Sequence, residues 1–386
     1  MLDMFKDENL KNLLIILLVY KIFILSLGTI TYYTVPEEFS HKNTELENPL
    51  TRPWHQFDTI AYLNIASKGY NYEYGVTTTN FGWYPLYPLL IRMFGAIGYD
   101  IAAYLIPQIF SFLAVISLYI LLKNQIGTSL TKKTVFYTML FPTAYFLSAM
   151  YTESIFLFFS CMTFYFASKE KWAYAGIVGY FAVLTRFIGL AMFIPVLYMY
   201  LRSKKFRLTS LDRNIFFVFL LPMAFITFML YHYAALGNPF LQFYTQGNFS
   251  RTIGLPHMSF VNTFSEIFTT GSVFVVFYNY FNVIMTLAFL SIMVLYWKKT
   301  PLEYNLYVLF SFIMILSSGI LASVVRFELV MFPIFMSIAK ISEISRKSRF
   351  IVSFIFVMLF AIQIIALINH VNGEIDFKSF IKTLMP

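Results

Sequence analysis

The residues that could do chemistry are a few ionisable side chains set beside long apolar runs. Asp58 heads a short helical pattern within residues 54–92, where Ile60, Ala61, Leu63, Ile65 and Ala66 give an apolar stripe at helix-like spacing. Gly69 can stop that helix, since glycine enters the left-handed region without strain. A carboxylate at the head of an interfacial helix can take a proton from a hydroxyl, a role typically worth about 10²–10⁴-fold. Asp is equally a preferred N-cap, and the residues alone leave both readings open. His55, just before it, could orient an acceptor or be an exposed loop histidine without a role. Glu153 lies at a turn between two apolar runs. An ionised side chain at the membrane centre costs about 2.5–3.5 kcal/mol on insertion scales, so it must meet a cavity or a partner there, or else be solvated at the interface. Arg186 could bind a lipid phosphate or pair with Glu153. Arg326 offers a planar fork suited to phosphate, with Glu328 as an alternative local partner. Arg251 and His257 are further phosphate candidates, and the sequon Asn248-Phe249-Ser250 decides little.

Such groups need a frame, and composition says which kind. Of 386 residues, 59% are hydrophobic and 12% charged, against about a quarter charged in soluble domains. Apolar runs of bilayer-spanning length recur from end to end, so the expected fold is all-α: one polytopic transmembrane bundle of about nine to eleven spans over residues 1–386. Aromatics make up 20% of the chain, as interfacial belts require. The net charge of +9 sits in short Lys/Arg loops, the positive-inside pattern, and gives no reason to invoke nucleic acid. Cys161, the single cysteine, lies in an apolar run and reads as packing. The first apolar run has no small-residue cleavage site and reads as a retained helix.

Spans are expected over about 13–33, 101–122, a pair across 135–167 turning at Met150-Tyr151-Thr152-Glu153, a pair turning near Thr185-Arg186, then 215–235, 273–297, 304–321, 327–341 and 350–369. Residues 86–97 are too short to cross. Eleven crossings put every basic loop on the cytoplasmic side, and leave outside a first outer loop (34–98) with interfacial helices and a second (237–270). No Walker motif, GxGxxG or Cys/His metal spacing is present.

Phe57-Asp58, Ile65-Ala66-Ser67-Lys68-Gly69-Tyr70 and Tyr84-Pro85-Leu86-Tyr87-Pro88-Leu89 together resemble the signature of the PIG-V-like mannosyltransferases, GPI mannosyltransferase 2-type enzymes of the GT-C glycosyltransferase class, with many prokaryotic relatives. The segments around Glu153, Arg186 and Arg326 resemble later family positions. Gln56, Phe57 and Ala61 depart from the usual Arg, Trp and Trp. The resemblance implies transfer of mannose, or a related hexose, from a polyprenyl-phosphate donor to an acceptor hydroxyl on a lipid-linked glycan, glycolipid or protein. The transfer would invert the anomeric centre, with Asp58 as base and His55, Tyr84, Tyr87, Glu153, Arg186, Arg251 and Arg326 binding substrate. The expected site faces outside a prokaryotic cell membrane, or the lumen of the ER in a eukaryote. No cofactor is expected, and a divalent metal is left open. The rival reading is a secondary transporter or flippase of lipid-linked sugars, with Glu153 and Arg186 as coupling residues.

Overall fold

The computed structural model describes residues 7–70, 80–247 and 251–374. The first span, α1 (Glu8–Thr34), starts at Asp7, whose carboxylate accepts from the Asn9 amide at 3.0 Å. It stops one residue before Val35-Pro36, where the ring of Pro36 disfavours further helix. Two short amphipathic helices follow, α2 (Asp58–Lys68) and α3 (Leu86–Met93). Gly69 ends α2 at φ +84°, as its position in the sequence predicts.

The bundle proper comprises α4 (Tyr99–Ile126), α5 (Thr128–Met139), α6 (Glu153–Ser168), α7 (Trp172–Thr185), α8 (Phe193–Ser203), the broken pair α9 (Asn214–Val218) and α10 (Leu220–Leu236), and then two loop helices, α11 (Leu241–Gly247) and α12 (His257–Thr269). It closes with α13 (Val273–Leu295), α14 (Leu302–Leu316), the broken pair α15 (Val324–Glu328) and α16 (Phe332–Ser342), and α17 (Arg346–Val371). In the packing, α4 lies on α6, α6 on α7, α7 on α10, α5 on α16, α8 on α14 and α1 on α17. At Gly176 of α7, a Cβ would lie 2.0 Å from the Phe217 carbonyl of α9, so only glycine permits that approach. The outward faces of α1 and α17 carry Ile15, Val19, Ile22, Phe350, Phe354 and Val357, all well exposed. Continuous apolar faces of that extent are lipid-facing surface.

Among the described residues, four helices, α1, α4, α13 and α17, are long and apolar enough to cross a membrane, and α10 with α11 makes a fifth if that pair, bent by 92°, is one span. Five other apolar segments are shorter, at 10–17 residues. Their shortness has a common cause. The expected span 304–321 is helical only to Leu316, and 327–341 only from Phe332. Helix likewise stops between Met139 and Glu153 and at Thr185. Each interruption lines one cavity, where unwound backbone can be satisfied within a bundle. The expected helix 215–235 is also split, at Phe219.

The opposite ends of the same helices carry the basic loops. There Asp7 accepts from Tyr119 and Lys123 at 2.7 and 3.0 Å, Lys133 pairs with Glu343, and Arg202 bonds Glu303 at 3.1 Å. Such pairs contribute little individually; together they mark one face. In a Cys161→Ser background, Phe206→Cys and Glu45→Cys are therefore expected to react with an impermeant thiol reagent from opposite sides. Labelling of both from the same side would contradict this topology.

Candidate active site

Asp58 does not cap α2. The N-cap is Phe57, at φ +51° and ψ −119° with no side-chain capping bond, and Asp58 is the first helical residue. A positive φ in a bulky residue is unfavourable and persists where surrounding structure imposes it. Here the Phe57 ring lies 5.3 Å from that of His370. Thr59 anchors the same turn through bonds to the carbonyls of Trp54 (3.2 Å) and Met150 (3.3 Å). The Asp58 carboxylate is thereby aimed away from its own helix. It accepts from Nη1 of Arg326 at 2.7 Å and from the Trp83 side chain. Burial alone would raise its pKa, but the Arg326 charge and hydrogen bond outweigh that and hold it below the ordinary carboxylate value.

Arg326 continues into a chain of charges. Its Nε lies 2.7 Å from Oε1 of Glu153, and the same oxygen pairs with Nη1 of Arg186, which also reaches Thr152 Oγ1 at 3.3 Å. Glu153 is fully buried at the head of α6, where the helix dipole also favours its charge. Aromatic faces complete the cage. The Arg326 guanidinium lies 5.2 Å from the Phe146 ring and 4.9 Å from Tyr151, while Arg186 and Arg251 lie 4.7 and 5.8 Å from Phe327. Arg251 donates to Gln246 Oε1 and to the Ala322 carbonyl, both at 3.2 Å, and its buried Nε has no hydrogen-bond partner among the described residues. Arg326 and Arg186 thus share two carboxylates, and Arg251 has no ion-pair partner among the described residues, all beside a cavity of about 2790 Å³. Phe187, Phe240, Phe243, Ile313 and Met314 supply part of its apolar lining.

Of the residues singled out from sequence, Asp58, Tyr84, Arg186, Arg251 and Arg326 line this cavity. Tyr84 bonds Gln242 Oε1 at 3.0 Å, tying the aromatic-proline segment to α11. Glu153 sits behind the wall as the counter-ion of two arginines, so it is neither solvated nor turned to a ligand. Arg326 pairs with Asp58 and Glu153 rather than with Glu328, whose carboxylate is buried elsewhere. Three other candidates lie off the cavity. His55 is 3% exposed at the end of the 3-10 turn Arg52–Trp54 and does not line the cavity; burial lowers its pKa. Tyr87 is fully buried and donates to the Ala103 carbonyl at 2.6 Å, packing α3 onto α4. His257 is exposed at the start of α12 and off the cavity. The sequon at 248–250 lies outside the described residues.

Sequence reasoning missed the cage of Tyr145, Phe146 and Tyr151, and it missed His370, whose ring lies within 5.5 Å of all three. Those aromatics read as packing in a chain this rich in them. A lone histidine at the end of the last span carried no neighbouring signal. Among the described residues, no three His, Cys, Asp or Glu side chains converge as a metal-binding group.

No family model and no curated protein matches the chain. Among solved structures, ArnT from Cupriavidus metallidurans bound to undecaprenyl phosphate is similar, with a TM-score of 0.52 and 10% identity over 89% of this chain and 63% of that one. The oligosaccharyltransferase of Archaeoglobus fulgidus, solved with Zn and sulfate, aligns with 94% of this chain and 55% of that one at 12% identity, with a TM-score of 0.40. The chain therefore spans less than two thirds of either structure's length. At such identities the likeness to ArnT is one of fold: this is an integral, multi-pass membrane protein whose described residues form a helical bundle like that of ArnT.

Proposed function

We propose that this protein is a membrane glycosyltransferase that moves a hexose, mannose in the finer reading, from a polyprenyl-phosphate carrier to an acceptor hydroxyl. The observation that carries the proposal is the wall where Asp58 pairs with Arg326, with Arg186 and Arg251 lining the same large, partly apolar cavity. A carboxylate beside guanidinium charge suits one reaction type in particular. The acceptor O–H gives its proton to Asp58 as its oxygen attacks the anomeric carbon. The bond from that carbon to the phosphate oxygen breaks, and the lipid phosphate leaves with the electron pair. The arginines stabilise the charge that develops there, and Asp58 passes its proton to the phosphate or to solvent. A single displacement inverts the anomeric centre. The likeness to a structure that holds undecaprenyl phosphate supports the donor class. The mannose assignment rests on the resemblance of residues 57–89 to PIG-V-like enzymes, and the outward-facing site rests on the basic loops at the other end of the helices.

The test is reconstitution of the purified full chain in nanodiscs with radiolabelled polyprenyl-phosphate-mannose. Label is expected to leave the lipid, with sugar released to water or to an added acceptor. Arg186→Gln and Arg251→Gln are expected to raise the half-saturating donor concentration by about tenfold or more each, as for a lost charged hydrogen bond. A donor that stays intact under every condition would overturn the proposal. Movement of intact donor across a vesicle would favour a flippase.

A further inference from the structure

The cavity has a second polar wall, remote in sequence from Asp58 and built without arginine. On α13, Val275, Tyr278, Asn279 and Asn282 all line it, at the spacing of one helix face. Amides in so apolar a helix are expected to meet a partner or a watery cavity. Asn279, 2% exposed, donates to Glu266 Oε2 at 3.0 Å. Asn282 is 1% exposed and lines the cavity, and its Nδ2 has no hydrogen-bond partner among the described residues. An unpartnered buried amide of this kind costs about 1–3 kcal/mol, which a ligand can offset.

The wall is held firmly. Ser259 donates to the Leu316 carbonyl at 2.6 Å, Asn262 to Gly319 at 2.8 Å, and Thr263 accepts from the Leu321 amide at 3.0 Å. These bonds fasten α12 to the unwound segment after α14. The Tyr278 hydroxyl accepts from the Ser323 amide at 2.7 Å, which fixes α13 to the same segment. Glu266, Asn279 and Asn282 therefore stand on a pre-organised surface rather than on a loose loop.

We propose that Glu266, Asn279 and Asn282 form a saccharide subsite that binds the hydroxyls of an uncharged sugar on the acceptor. The inference rests on the glycosyltransferase reading and names its acceptor class. Each sugar hydroxyl both donates and accepts, and a carboxylate beside two amides offers both functions. Glu266 has no ion-pair partner among the described residues, and an uncompensated carboxylate repels phosphate or uronate, which separates this wall from the arginine wall. Space allows two substrates: a drug-sized ligand occupies about 300–1,000 Å³, whereas this cavity has about 2790 Å³.

The experiment reads sugar binding alone. Wild-type chain in nanodiscs is mixed with methyl α-mannoside, methyl β-glucoside and methyl N-acetyl-β-glucosaminide, and saturation-transfer NMR is recorded on the ring protons. At least one hexoside is expected to bind, and Asn282→Ala and Glu266→Gln are each expected to weaken it about tenfold, the scale of one lost hydrogen bond. Glu266→Gln changes an exposed residue on α12, so it provides a folded variant if Asn282→Ala misfolds. Absence of transfer to every hexoside, or binding unchanged in Glu266→Gln, would overturn the subsite. A wild type that cleaves the donor yet binds no hexoside counts against this inference alone. One that binds hexoside through this wall and leaves the donor intact counts against the transferase reading instead.

Discussion

Asp58→Asn is expected to yield a protein that still inserts and folds, because Arg326 keeps Glu153 as its counter-ion, and that turns over about 10²–10⁴-fold more slowly, the contribution typical of a positioned general base. The geometry makes this substitution unusually clean. Because Phe57, not Asp58, occupies the N-cap and no side chain caps α2, no cap is lost. Asparagine can still accept from Arg326 and from the Trp83 side chain, but it cannot take a proton. The depressed pKa of Asp58 adds a pH signature. A group whose pKa is lowered in the folded protein stays ionised down to acid pH, so activity should fall only as pH drops below the ordinary carboxylate range. Arg326→Gln should move that acid limb upward while weakening donor use. Turnover of Asp58→Asn within a few-fold of wild type, in protein with an unchanged melting curve, would sink the assignment.

Glu153→Gln should act chiefly on stability. Its carboxylate is fully buried and is the shared counter-ion of Arg186 and Arg326. Removing one partner of a buried ion pair typically costs about 3–5 kcal/mol, because the remaining charge is left uncompensated. The double variant Glu153→Gln/Arg186→Gln removes one of the two stranded cations and should recover part of the loss. Cys161 is a built-in reporter, as it is the single cysteine and is fully buried. Its reaction with a fluorogenic maleimide on heating reads unfolding directly. If Glu153→Gln melts together with wild type, the charge chain contributes nothing to the fold and Glu153 must be examined as a second base.

Much of the frame was legible from local residue pattern. The end of α2 at Gly69, the non-spanning nature of 86–97 and the turn before Glu153 all follow from propensities acting within a few residues. The short spans did not. Hydropathy counts apolar residues whether the backbone is wound or not, so 317–321 read as the end of a span although the chain unwinds there beside the cavity. His55 and Tyr87 lie away from the cavity for a related reason. Their sequence neighbours belong to the site, but a step of a few residues along a helix or turn rotates a side chain from the cavity into the core.

By itself the sequence determined that this is a membrane bundle with basic loops at one end. A chain with 59% hydrophobic and 12% charged residues, in runs of about 20 residues, satisfies its backbone in lipid only as helices. Only the tertiary structure decided which charges act together. Asp58 and Arg326 stand 268 residues apart in sequence and 2.7 Å apart in space. Glu153, which could have been a solvated acid, is the shared counter-ion of two arginines from different elements. Charge pairing depends on distance and local dielectric, and across a bundle neither quantity is encoded in the spacing of residues along the chain.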